Sequence, residues 1–260
     1  MATALVTGGT SGIGAAFARA LSFRGYDLVL VARDQGRLEQ MADQLRSDGA
    51  SGVEIISADL SVRADIDRVA ERVSSTEHPV DFLVNNAGFG IHGSLIDADT
   101  SKHEEAFAVM CLAVLVLSGA AARSMRPRRK GTILNVSSVA GTIATGNYSA
   151  IKAWTTAYTE ALAVELRGTG IQVSAVLPGW VHTEFHERAG IRTRSIPKQL
   201  WLDADDLVEQ TLHDLSRGKV LSVPSGRFKV LLFLTRHLPR RTVRWVSGKI
   251  SSSRNKPVES

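Results

Sequence analysis

Thr3-Ala4-Leu5-Val6-Thr7-Gly8-Gly9-Thr10-Ser11-Gly12-Ile13-Gly14 opens the chain with an apolar run, a glycine turn and the start of a helical pattern. A buried strand ending at Thr7 and a helix starting near Gly12 leave TGGTSGIG as the strand-to-helix turn between them. Gly8 permits the tight turn, Gly12 lets backbone approach a phosphate, and Gly14 lets helix and strand pack closely. The helix N-terminus then offers N–H groups and the positive end of its dipole to a pyrophosphate. Thr10 and Ser11 add hydroxyl donors, and Ile13 continues the same turn. A merely structural glycine turn is the alternative; the strand before and the helix after favour nucleotide binding.

Beyond this unit, short apolar runs alternate with longer helical patterns. Ala4–Val6, Leu28–Val31, Val53–Ile56, Phe82–Val84, Thr132–Val136 and Val173–Leu177 read as buried strands. Helix-length segments lie near 12–24, 35–48, 62–75, 101–126, 149–168 and 204–217. The alternation predicts an α/β fold, one domain built on a doubly wound parallel sheet of about seven strands with helices on both faces. A dinucleotide-binding catalytic body over 1–222 and a C-terminal extension over 223–260 divide the chain. The polar, irregular stretch near 183–202 follows a strand's carboxyl end and reads as a substrate lid.

The totals set bounds. A chain of 260 residues, 44% hydrophobic and 22% charged, has the composition of a globular protein able to bury a large core. Its single cysteine, Cys111, excludes an internal disulfide framework and a cysteine-based metal cluster, and no metal site is read. Cys111 lies in an apolar run and reads as a buried structural thiol. The N-terminus carries no basic segment and cleavage site, and no uncharged apolar run reaches the roughly 18 to 20 residues that span a bilayer, so a cytoplasmic location is expected. The net charge of +5 is uneven: from residue 215 onward, eleven Lys or Arg face one acid, Glu259, giving a tail of +10 on a body of −5.

The end of the second strand decides which dinucleotide fits. An acidic residue there would hold the ribose 2′-OH of NAD and repel a 2′-phosphate. Here the strand ends Val31-Ala32-Arg33-Asp34, and Arg33 can pair with a 2′-phosphate and stack on adenine. NADP(H) is therefore favoured over NAD(H), although Asp34 blurs the signal and Arg37 adds a second cation nearby. Asp59, followed by Leu60 after strand three, stands where the adenine amino group would be met.

Tyr148 and Lys152, in the string NYSAIKAW, are four residues apart on one helix face. A free phenol titrates near 10, and an adjacent ammonium is expected to lower that value toward working pH. With the glycine turn, Asn85-Asn86-Ala87-Gly88, Asn135-Val136-Ser137-Ser138-Val139-Ala140-Gly141 and Pro178-Gly179-Trp180-Val181-His182-Thr183, these residues resemble the short-chain dehydrogenase/reductase family over roughly 3–185. The resemblance implies a Rossmann fold and a hydride-transfer reaction between nicotinamide and a carbonyl or secondary alcohol. It implies Tyr148 as acid/base, Lys152 as its partner and holder of the nicotinamide ribose, and Ser138 as the hydroxyl orienting the carbonyl, with Ser137 as the fallback. Asn86, Ala87 and Gly88 would lie against the cofactor, while Pro178, Gly179, Val181 and Thr183 would hold the carboxamide. His182 reads as a surface or lid residue.

Two departures stand out. Ser138 and Tyr148 are ten residues apart, against about thirteen in the commoner family pattern. Met110 occupies the place of an asparagine that often supports a proton relay, and a thioether cannot donate. A catalytically weak dinucleotide-binding regulator or scaffold on the same fold is therefore the alternative to an enzyme. Phe185-His186-Glu187-Arg188-Ala189-Gly190 resembles actinobacterial members, suggesting bacterial origin. Family members usually form dimers or tetramers, so a homodimer or homotetramer is expected.

The tail runs Arg227 to Arg241 with apolar residues between basic ends, then adds Val243, Trp245, Val246 and Ile250 among more cations. Three readings stay open for it: a helix packed on the body or a second subunit, a peripheral membrane contact through 226–250, or a dock for an acidic carrier or CoA-type phosphate. Nucleic acid is not expected, since no recognition motif accompanies the charge. The apolar tail also motivates a hydrophobic substrate, a lipid-like, acyl or steroid-like carbonyl or alcohol.

Overall fold

The computed structural model describes residues 1–91, 93–183 and 201–254. The proposed lid and the Phe185–Gly190 string lie largely or wholly outside them.

Seven strands form one parallel sheet: β1 (Thr3–Thr7), β2 (Asp27–Ala32), β3 (Val53–Ser57), β4 (Val80–Asn85), β5 (Gly131–Val136), β6 (Ile171–Val176) and β9 (Leu221–Ser222). Their order is β3-β2-β1-β4-β5-β6-β9. The chain leaves β1 toward one edge and returns to β4 on its other side, so the order reverses between β1 and β4. Such a switch point opens a crevice at the strands' carboxyl ends.

Apolar residues at successive strand positions explain why both faces are covered. Leu5, Val29, Leu83 and Ile133 belong to one cluster, and their neighbours Ala4, Val6, Leu28, Leu30 and Val84 to the other. Because side chains alternate faces, a strand apolar at every position can be buried only between two helical layers. α3 (Arg63–Val73), α5 (Ala113–Met125) and α6 (Asn147–Glu165) cover the first face. α1 (Gly12–Phe23), α2 (Gln35–Ser47) and α7 (Ala204–Ser216) cover the second. Each fully buried Leu or Val contributes roughly 1.5–3 kcal/mol relative to exposure, so the core rests on many modest terms.

α4 (Ser101–Phe107), a π turn at Ala108–Leu112 and α5 form one helical stretch. That stretch is long and apolar enough to cross a membrane by composition, one 18-residue window having mean hydropathy 2.1, but Met110, Cys111, Leu117 and Met125 are core residues. Trp180–Val181 (β7) and Trp201–Leu202 (β8) make a separate two-stranded parallel pair.

Up to residue 254 the extension is mainly helical. α8 (Gly226–His237) sets Phe228 into a small cluster with Ala175, Leu177 and Val223. α9 (Arg240–Arg254) buries Val243 and Ser247.

Candidate active site

The glycine turn is held by its neighbours across the switch point. Gly8 turns at φ +66° and donates its N–H to the Val31 carbonyl at 2.7 Å. A Cβ on Gly14 would run into the Gly8 carbonyl and the Asn86 amide, so only glycine lets α1 seat this deeply. The Asn86 amide donates to the Thr7 and Gly8 carbonyls at 3.0 and 3.1 Å. Thr7 Oγ1 accepts from the Asn86 and Ala87 N–H groups and donates to the Val84 carbonyl. The buried Asn85 amide donates to Ser118 Oγ and to Asn135 Oδ1, and Asn135 in turn donates to Thr159. The asparagines therefore tie strands and helices together, and Thr7, which sequence reasoning passed over as the end of a strand, is the hub beneath the turn.

Thr10, Ser11, Gly12 and Ile13 are half-buried along the rim, and Gly88 is exposed at the end of β4. Ser11 is the N-cap of α1 and makes no side-chain capping bond, which leaves the first-turn amides facing the crevice for an anion. Thr183 lies directly against Gly12: a Cβ added there would stand 3.0 Å from its Cγ2. Pro178 is buried, and its carbonyl accepts from the Val139 N–H at 3.0 Å. Val181 is buried in β7, and Gly179 lies against the Phe228 ring.

At the opposite end of the crevice Arg33 is exposed and forms a 3.5 Å ion pair with Glu105. Asp34 caps α2, its carboxylate accepting the Arg37 N–H at 3.0 Å, so its acidic side chain is turned toward a helix N-terminus. Asp59 Oδ1 accepts from both the N–H and the hydroxyl of Ser61, and Leu60 is buried beside it.

Ser138, Tyr148 and Lys152 meet where β5 gives way to α6. The Ser138 hydroxyl is hydrogen-bonded to Tyr148, accepts the Ala140 N–H at 3.1 Å and reaches the Pro178 carbonyl at a long 3.3 Å. A one-turn 3₁₀ segment, Val139–Thr142, shortens the path between the two hydroxyls. Ser137 is buried, its hydroxyl bonded to the Lys152 carbonyl and to Thr156, both at 2.7 Å, so its hydroxyl is spent holding α6 to the sheet. Lys152 Nζ donates to the Val136 carbonyl at 2.8 Å and stands 5.7 Å from the Tyr148 ring centre.

The electrostatics correct one expectation. Burial pushes the Tyr148 phenol well above its ordinary value, with the Ser138 hydrogen bond drawing it back only in part. The expected lowering of the phenol is not seen, because burial holds it up. Burial also lowers Lys152 itself to about 8, opposed by Cys111. Cys111, next to Met110 in the π turn, is a buried thiol pushed up to about 11. Met110 lies in the π turn with its sulfur against Gly88. The helix is thus locally irregular at this point although the asparagine is missing.

The turn that a Cβ would fill, the α1 amides and the Thr183–Gly12 contact form a cradle fitted to a dinucleotide, with Ser138, Tyr148 and Lys152 beyond it. Comparison with known proteins accords with that geometry. The family model described as short chain dehydrogenase matches residues 2–192. The chain is 36% identical over 228 residues to dehydrogenase/reductase SDR family member 11 of Bos taurus, spanning 82% of this chain and 89% of the relative. A solved short-chain dehydrogenase from Sphingobium yanoikuyae in complex with NADPH superposes with TM-score 0.82 at 30% identity, covering 100% of this chain and 98% of that one. The bulky-bulky ketone specific alcohol dehydrogenase from Comamonas testosteroni superposes with TM-score 0.77 at 28% identity, covering 100% and 96%.

Proposed function

The chain belongs to the short-chain dehydrogenase/reductase family, and from that premise we propose that this NAD(P)-binding oxidoreductase interconverts a hydrophobic ketone and its secondary alcohol, with Tyr148 as acid/base. The observation that carries the reading is the Ser138–Tyr148 hydrogen bond beside buried Lys152, at the end of a crevice fitted to a dinucleotide. Nicotinamide, when bound, supplies or takes up the hydride. Tyr148 gives its proton to the carbonyl oxygen, and Ser138 exchanges its long bond to Pro178 for one to that same oxygen as negative charge grows there. A phenol held protonated by burial suits the reductive direction. The Lys152 ammonium, 5.7 Å from the Tyr148 ring centre, then helps to balance the phenolate, and we assign it the ribose hydroxyls as well.

NADP(H) is the preferred cofactor in this reading. Arg33 offers an exposed guanidinium, Asp34 is engaged with α2, and the Sphingobium relative was solved with NADPH. A hydrophobic substrate is supported by Trp180, Trp201 and Phe228 beside the Pro178–Gly179 turn, and by the ketone class in the Comamonas relative's name. Residues 1–222 serve as the catalytic body and 223–260 as a C-terminal extension, whose Phe228 and Ser247 lie against the site. Assembly as a homodimer or homotetramer is supported by exposed Leu115 and Val164 on α5 and α6. Met110 in place of asparagine favours, as a second reading, a weakly catalytic dinucleotide-binding regulator.

The test is a panel of bulky ketones and alcohols run with NADPH, NADH and their oxidised forms on the protein and on Tyr148→Phe. Turnover is expected with NADPH, falling roughly 10²–10⁴-fold in the variant, while NADPH affinity by titration stays within a few-fold. Wild-type rates in Tyr148→Phe would remove the proposed acid. Turnover of nothing on the panel would favour the regulator, and NADH binding as tightly as NADPH would end the NADP assignment.

A further inference from the structure

α8 carries two apolar stripes, and among the described residues only one of them packs into the body, while Phe233 on the other stacks on the neighbouring His237 ring. Phe228 and Thr235 are buried, with Leu232 between them, on the side facing the body. One step around the helix, Val230, Phe233 and Leu234 recur at i, i+3 and i+4 and are 60%, 60% and 44% exposed. Leu238 continues that stripe, and α9 adds Trp245 and Val246, 61% and 41% exposed. Isolated exposed apolar residues need no explanation, but two consecutive helices exposing large side chains at helical spacing do.

The charges around these residues are of one sign. Arg227 and Lys229 precede the α8 stripe, and Arg236, Arg240 and Arg241 follow it. On α9, Lys249 sits over the Trp245 ring at 4.0 Å, an aromatic with its apolar body covered on one side by a cation. No Asp or Glu occurs anywhere from 215 to 258.

We infer that the outer faces of α8 and α9 form a docking surface for an anionic lipid bilayer. Charge and apolarity together choose this occupant. A second copy of the same surface would set two strongly basic faces against each other. A nucleic acid would meet the cations but leave Val230, Phe233 and Leu234 in water. An anionic bilayer takes both: the apolar stripe enters the acyl boundary while Lys and Arg remain among the headgroups, and Trp245 suits the interface between them. The inner faces of the same helices touch the site, Phe228 against Gly179 and the Ser247 hydroxyl accepting the Ala144 N–H at 3.0 Å. A docked bilayer therefore lies about one helix diameter, ~10 Å, from the loops around Tyr148. Binding of this kind is independent of the reaction assigned above.

Co-sedimentation of the full chain with vesicles of phosphatidylcholine alone, and of phosphatidylcholine mixed with phosphatidylglycerol, is the test. The protein is expected to partition onto the anionic vesicles only, and several-fold less at high salt. V230E/F233E, two changes at exposed positions, and R240A/R241A are each expected to lower partitioning tenfold or more with the circular dichroism spectrum unchanged. Equal partitioning onto both vesicle types, partitioning onto neither, or full retention by V230E/F233E would each overturn the inference. A drop in sedimentation coefficient for V230E/F233E without vesicles would assign the surface to a second copy instead.

Discussion

Lys152 is under two opposed demands. Its ammonium is wanted beside Tyr148, yet it is 5% exposed and donates to a neutral carbonyl, that of Val136. Desolvation therefore draws its titration from 10.5 down to about 8. Between those two values the folded chain holds Lys152 neutral while the unfolded chain still binds the proton. The unfolded state then carries more protons, so stability attributable to this residue rises with pH across roughly pH 8 to 10.5, and the full cost of the buried charge is felt below pH 8. Lys152→Met removes the charge at similar length. Denaturant unfolding at pH 7.5 and at pH 10 is expected to show the gap between wild type and variant shifting toward the wild type by roughly 2 kcal/mol. A gap that does not move with pH would mean that Lys152 titrates as it does in water. The identity of the Tyr148–Lys152 pair is legible in the sequence because its spacing is local to one helix. The direction of the phenol's shift is not legible, since it depends on burial assembled from β5, α6 and the π turn.

The segment joining β5 to α6 shows the same division at the level of elements. Its ten-residue interval from Ser138 to Tyr148 is visible as a short loop, and the 3₁₀ turn at Val139–Thr142 is how the chain makes that interval compact. What holds its middle is not visible. Ala144 is tied to Ser247, 103 residues away on α9, whose hydroxyl also donates to the Val243 carbonyl one turn back. Nothing in the local pattern of either segment announces that contact. Ser247→Ala removes an acceptor from Ala144 without adding bulk, and is expected to cost about 1 kcal/mol. Its sharper mark is kinetic: a several-fold fall in kcat for the ketone with NADPH affinity unchanged, because the loop carries Ser138 and Tyr148 rather than the glycine turn. Unchanged kcat would mean that the loop keeps its shape without α9. The six longer strands, by contrast, are readable from the sequence because each is apolar at consecutive positions and bounded by turn residues. β9 is only Leu221–Ser222, too short for any periodicity, and is set by pairing with Ala175 and Val176 on β6.

At the scale of the whole molecule, the sharp change of charge near residue 215 invites a division into two units that the packing does not follow. A basic tail of +10 on a body of −5 could be a loosely attached appendage. Phe228, Val243 and Ser247 are nonetheless buried, and Phe228 shares its cluster with Ala175 and Leu177 at the end of β6. Charge is set by the outward faces of α8 and α9, folding by their inward ones, and a sequence displays both at once without saying which residue faces where. If the inward faces matter as this packing implies, 223–260 melts with the body. Calorimetry of the full chain is expected to give one transition with calorimetric and van't Hoff enthalpies in agreement. Ending the chain at residue 225 forfeits Phe228 and Val243, worth roughly 1.5–3 kcal/mol apiece, and is expected to lower the midpoint on the order of 10 °C. An early, separate transition in the full chain, or a truncated chain melting at the same temperature, would show that the helices are attached to the body by sequence alone.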